Sequence, residues 1–143
     1  MPELTSDSEL RRVLTEARTI AVLGAHVDPA RPAGYVPAYL QARGYRVLAV
    51  NAIYAGQPLF GGAARATLAE LAEPVDVVDI FRRADKLGDH LADILAMRPR
   101  PKLVWLQLGI RNDSFAGELL AAGIDVVQDR CTMAEHRRLI GAE

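Results

Sequence analysis

The chain has 143 residues, 50% hydrophobic and 24% charged, a size and balance that fit one domain, residues 1–143, able to bury its own core. Its 17 basic and 18 acidic residues leave a net charge of −1 with no Lys/Arg tract, which argues against a broad electrostatic grip on nucleic acid. A single cysteine, Cys131, excludes an internal disulfide framework and suits a reducing cytoplasm. No apolar run approaches the roughly 20 residues that span a bilayer, and the first residues are acidic where a secretory signal would be basic. The expectation is a cytoplasmic protein without a membrane or nucleic-acid partner.

Ser6 and Glu9 have the spacing of a capping box, and Leu10, Val13, Leu14 and Ala17 follow at helical intervals. The apolar run Thr19 to Leu23 reads as a strand buried on both faces. Gly24 then sits where the strand must turn and where a missing Cβ lets a ligand approach the backbone. Val36, Tyr39 and Leu40 mark a helix over Gly34 to Arg43, with Gly44 at its left-handed end. Arg46 to Val50 is the second strand, and a loop rich in turn residues follows Asn51. Thr67 to Leu71 suits one helical turn, and Val75 to Phe81 is the third strand.

Asp85 is placed to cap a helix through Met97, which Arg98 to Pro101 stops. Lys102 to Leu108 is the fourth strand, ended by Gly109. Asn112 or Asp113 caps the next helix, Gly123 closes it, and Ile124 to Val127 is a short fifth strand. Thr132 and Glu135 have the spacing of a second capping box for a last helix. Strands alternating with helices imply an α/β fold, a mostly parallel five-stranded sheet with helices on both faces. Right-handed crossovers favour the order 3-2-1-4-5, which opens a crevice between strands one and four, beside Gly24 and Gln107-Leu108-Gly109.

Strand, glycine, loop and helix place N–H groups where phosphates bind. A nicotinamide dinucleotide is disfavoured, because Gly24 stands alone until Gly34, with His26 and Pro29 at the places of the second and third fingerprint glycines. The second strand also ends in Asn51 instead of an acid for a ribose hydroxyl, and no Walker motif occurs.

Gly24-Ala25-x-x-x-Pro29-x-Arg31-Pro32 resembles the small stand-alone CoA-binding proteins. So do Tyr39 to Val47, Val50 to Gln57, Val75 to Arg83, Trp105 to Gly109 and Asp129 to His136, so the resemblance runs from Ile20 to Leu139. That family shares its fold with the N-terminal domain of the succinyl-CoA synthetase α subunit, whose catalytic histidine lies in a second domain absent here. The resemblance implies a doubly wound, Rossmann-like domain that binds coenzyme A, free or acylated, without established catalysis. Two places depart from the family pattern: His26 stands where a serine is usual, and Ala49-Val50-Asn51-Ala52 stands where prolines flank Val-Asn.

On that reading Gly24, Ala25 and His26 offer backbone N–H groups to the pyrophosphate, with Arg31, stiffened by Pro32, as a charged contact. Asn51, Tyr54 and Gly56 face the ribose and adenine, one of Arg82 and Arg83 beside Phe81 meets the 3′-phosphate, and Gln107 and Gly109 bond pantetheine amides. Plainer roles stand beside these: a solvated loop for Arg31, loop packing for Tyr54, surface charge for Arg82 and Arg83. Cys131, Glu135 and His136 lack the support a nucleophilic triad needs, and the place of Cys131 near the ligand edge motivates a mixed disulfide with the CoA thiol. His26, His90 and His136 are too scattered for zinc, and Trp105 belongs to the core. A binding or regulatory module is the first reading. An NAD(P) enzyme or redox sensor and an interaction domain with a decayed site are the alternatives, and a homo-oligomer stays open.

Overall fold

A computed structural model describes residues 2–141. In chain order, α1 (Asp7–Glu16) leads to β1 (Thr19–Leu23), α2 (Pro32–Ala42), β2 (Arg46–Val50) and a minimal hairpin, β3 (Pro58–Leu59) with β4 (Gly62–Ala63). Then come β5 (Val77–Ile80), α3 (Leu91–Ala96), β6 (Leu103–Leu106), α4 (Asp113–Ala121), β7 (Asp125–Val127) and α5 (Thr132–Leu139). The Ser6 side chain accepts the Glu9 N–H and the Glu9 carboxylate accepts the Ser6 N–H, so the first capping box forms. Asn112 caps α4 by accepting the Phe115 N–H at 3.0 Å.

Five strands form one parallel sheet in the order β2-β1-β5-β6-β7. Side chains alternate across it. Ile20, Val22, Val47, Val77 and Trp105 pack with Leu10 of α1, Leu40 of α2 and Met133 of α5. Ala21, Leu23, Val78, Ile80 and Val104 pack on the other face with Ile94 of α3 and Leu119 of α4. Among the described residues no helix is long and apolar enough to cross a membrane.

The expected strand order needs correction. The third strand lies beside β1, on the side away from β2, because all four of its residues are buried and it needs a neighbour on each edge. Exposed Arg46 and half-buried Leu48 make β2 the edge strand instead. Outside β2 the chain forms a single parallel bridge, Val50 to Arg65, with the Arg65 N–H on Ala49 O at 3.0 Å. Counting that one-residue strand restores the Rossmann order, and the strand reversal falls between β1 and β5.

Two caps also differ from expectation. Asp85 does not cap; its carboxylate pairs with Arg83, and residues Ala84–His90 wind as a 3₁₀ helix before the short α3. Cys131, not Thr132, is the N-cap of α5, and Thr132 points inward to a buried acid described below. Glu135 pairs with Arg130 and Arg138.

Candidate functional site

Gly24 turns the chain at the end of β1 with φ +90°, and a Cβ there would lie 2.5 Å from the Phe81 carbonyl oxygen. The glycine is therefore demanded by the turn the sequence placed there and, in addition, by the neighbouring strand end. Its N–H donates to Val50 O at 2.8 Å, and that of His26 donates to Ala33 O at 3.1 Å. Of the three amides assigned to a diphosphate, two are thus spent inside the fold. Ala25 N–H, and Ala33 N–H at the start of α2, carry no hydrogen bond among the described residues. Gly34 lets the loop lie on the first turn of α2, since a Cβ there would meet Asp28 O at 2.2 Å.

His26 shapes this corner with its side chain. Nδ1 accepts the Asp28 N–H at 3.0 Å, so the neutral ring carries its proton on Nε2 and donates to Tyr54 Oη at 3.1 Å. Asn51 adds a second tie: its Nδ2 donates to Ala25 O at 2.9 Å while Oδ1 accepts the Ile53 N–H. Asn51 and Tyr54 thereby latch the loop after β2 onto the first corner. Gly56 lies outside the cleft, its N–H donating to Ala64 O.

The carboxyl ends of β1, β5 and β6 open into a cleft of about 650 Å³. It gathers Gly24, His26, Arg31, Pro32, Phe81, Arg82, Arg83, Gln107 and Gly109 from the sequence-predicted set, together with Leu108 and Cys131, which the sequence placed at this edge, and adds Tyr35 and Ile110. A smaller hollow of about 140 Å³ lies on the other side of Gly24 and Arg82, walled by Val50, Asn51, Ala52, Ile53 and His90. Ile53 (78% exposed) and Leu108 (71% exposed) put apolar surface at the two rims.

The structure separates the two arginines that the sequence left equivalent. Arg83 is exposed and paired with Asp85 at 2.8 Å. Arg82 borders both hollows, has no acidic partner among the described residues, and its Nε is buried without a hydrogen bond. His90 Nε2 is buried and unpartnered too, and burial together with Arg82 lowers the pKa of that ring, so it stays neutral at pH 7. Sequence reasoning missed His90 as a wall residue because nothing local distinguishes it from surface; the 3₁₀ turn alone swings it in.

Beneath the cleft lies a buried acid. Asp79 is fully buried on β5, and burial pushes its carboxyl up to about 8, opposed only by the bond to Thr132. It is therefore protonated at pH 7. Thr132 Oγ1 lies 3.0 Å from Asp79 Oδ2 and 2.8 Å from Gln107 Oε1. A hydroxyl has one proton to give, so Thr132 donates to Gln107 and the Asp79 O–H donates to Thr132. The Thr132 N–H also donates to Gln107 Oε1, at 3.2 Å. With its oxygen held twice, the Gln107 carboxamide presents Nε2 to the cleft, unpartnered among the described residues.

The remaining polar groups are engaged within the fold. Gly109 N–H is taken by Asp129 Oδ1 at 2.6 Å. His136 is buried on the far side of α5, its Nδ1 2.8 Å from Tyr39 Oη and its ring edge-on to Tyr39 and Tyr45, so no Cys131–His136 pair forms. Trp105 is fully buried and donates to Arg130 O at 2.7 Å. Among the described residues no group of three potential ligands could hold a metal ion.

Residues 18–137 match the family model described as a CoA binding domain. YneT of Bacillus subtilis (strain 168), an uncharacterized protein, is 28% identical over 131 residues, 92% of this chain and 94% of that one. The structure of cell-free ID.343 from Thermus thermophilus aligns with a TM-score of 0.90 at 57% identity, covering 94% of this chain and 99% of that chain. The dinucleotide forming acetyl-coenzyme A synthetase 1 of Ca. Korarchaeum cryptofilum, solved with phosphate and ADP, aligns with a TM-score of 0.64 at 22% identity. That alignment covers 82% of this chain but 26% of the synthetase, a likeness of fold to one part of a larger protein.

Proposed function

Since the chain belongs to the CoA binding domain family, we propose that it binds coenzyme A, free or acylated, across the paired hollows at the β1–β5 corner. The observation that carries this reading is Arg82, whose buried Nε has no acceptor among the described residues and which stands between two hollows at a strand reversal. Adenine fits the smaller hollow against Ile53 and His90. The 3′-phosphate meets Arg82, and the diphosphate meets the Ala25 and Ala33 N–H groups and Arg31. Pantetheine runs along the larger cleft, one of its amide carbonyls accepting from Gln107 Nε2.

The protein acts on this reading as a cytoplasmic binding or regulatory module without turnover. Asn51 supports CoA over NAD, because it carries no charge to hold a ribose diol and its amide is already fixed by the Ala25 carbonyl and the Ile53 N–H. Titration calorimetry with CoA, dephospho-CoA, NAD and NADP tests it. CoA should bind most tightly and dephospho-CoA clearly more weakly. No heat with CoA, or NAD binding as tightly, overturns it.

A further inference from the structure

We propose that Cys131 is a thiol–disulfide exchange site on the wall of the cleft, where it captures a CoA-containing disulfide as a protein mixed disulfide. This rests on the CoA reading above and adds a reaction to it.

Cys131 is half-buried, lines the cleft beside Leu108 and Ile110, and caps α5 without any side-chain hydrogen bond. A cysteine so placed signals little alone. The second observation is Gln107, only 4% exposed, whose oxygen is pinned by Thr132 and whose Nε2 has no partner among the described residues at the wall of the same cleft. A fixed donor at a cleft wall without a protein partner is left to solvent or to a ligand group that accepts from it. Pantetheine is a chain of neutral amide acceptors ending in sulfur, so an arm bonded at Gln107 carries its sulfur toward the wall that holds Cys131.

The surroundings also select the chemistry. Acyl transfer to Cys131 would add a tetrahedral oxyanion that needs donors to hold it, and His136, the nearest histidine in sequence, is spent on Tyr39. Exchange needs only a thiolate and a disulfide. The Cys131 thiolate attacks one sulfur of CoA disulfide, or of the mixed disulfide of CoA and glutathione. A new Sγ–S bond forms, the old S–S bond breaks, and the departing thiolate takes up the proton that Cys131 released. The oxidant is the small disulfide itself, and excess reduced thiol reverses the step.

The test incubates the full chain separately with CoA disulfide and with glutathione disulfide, follows the adduct by intact mass, and maps it by peptide analysis. Calorimetry with reduced CoA runs in parallel. Held in the cleft, CoA disulfide should react roughly tenfold or more faster than glutathione disulfide, with saturation. Cys131→Ser should give no adduct with either. Gln107→Leu should slow only the CoA disulfide reaction, which a merely structural effect would not do selectively. Protein that binds CoA by calorimetry but forms no adduct, or reacts equally with both disulfides, overturns this inference and leaves CoA binding standing. Absence of calorimetric binding together with equal rates overturns both.

Discussion

The two ends of the sheet treat their hydrogen bonds differently. At the amino end, Asp76 accepts the N–H groups of Arg18 at 2.8 Å and Thr19 at 3.0 Å and lies 3.7 Å from Lys102 Nζ. The hollow there is only about 50 Å³. At the carboxyl end, Arg82 Nε, His90 Nε2, Gln107 Nε2 and the Ala25 and Ala33 N–H groups stand open around much larger hollows. Four of these five are N–H donors whatever the ionisation state, and neutral His90 completes the set when its proton sits on Nε2. A surplus of donors around apolar walls calls for a ligand rich in acceptors, and the amino end calls for nothing.

The largest expected effect separates fold from ligand at the corner itself. Gly24→Ala forces a Cβ against Phe81 O at a positive φ and should cost about 3 kcal/mol of stability by urea unfolding, with or without CoA. Next, Arg82→Ala should weaken CoA binding by about 2 kcal/mol and erase the preference over dephospho-CoA, with the unfolding midpoint little changed. If Arg83→Ala has that effect instead, the assignment of open donors at this end is wrong.

Asp79 gives a smaller, pH-resolved effect. Its folded pKa, about 8, is above its unfolded value of 3.8, so the folded state holds a proton that the unfolded state gives up. Stability should therefore fall as pH rises from about 4 to 8 and level off above that. Asp79→Asn, which keeps a donor for Thr132, should flatten this slope and be the more stable protein at pH 8. Asp76 behaves in the opposite sense. Burial works to raise its pKa, but the Thr19 and Arg18 N–H groups and Lys102 outweigh it, so its contribution is present at neutral pH and lost as pH falls below about 4. Asp76→Ala should cost about 1 kcal/mol and leave CoA affinity untouched. A large loss of affinity there would erase the contrast between the two ends.

Local signals carried much of the fold. Thr19–Leu23 and Arg46–Val50 are strands with the bounds their apolar patterns implied, and the Ser6–Glu9 box and Asn112 cap operate as spaced. The second box failed for a reason no spacing reveals. Thr132 had a better partner in a buried carboxylic acid 53 positions earlier. The third strand was misplaced because a strand of one bridged residue, Arg65, leaves no periodicity to read. In the site, glycine, arginines and glutamine were named as a group, but which amides stay open was not legible, since Gly24 and His26 spend theirs on carbonyls from other segments.

His26 shows the division most plainly. Its departure from the family's usual serine reads in one dimension as the loss of a small donor, whereas in three dimensions the ring bonds Asp28 and Tyr54 and joins two loops. The sequence by itself determined the α/β alternation, the buried strands and the strand ends where the cleft opens, because hydrophobic period and turn chemistry are local properties. Strand neighbours, the protonated Asp79 and the difference between Arg82, unpaired among the described residues, and paired Arg83 were decided only by tertiary structure. Each depends on which distant groups meet, and whether a polar atom finds its partner is settled by that meeting.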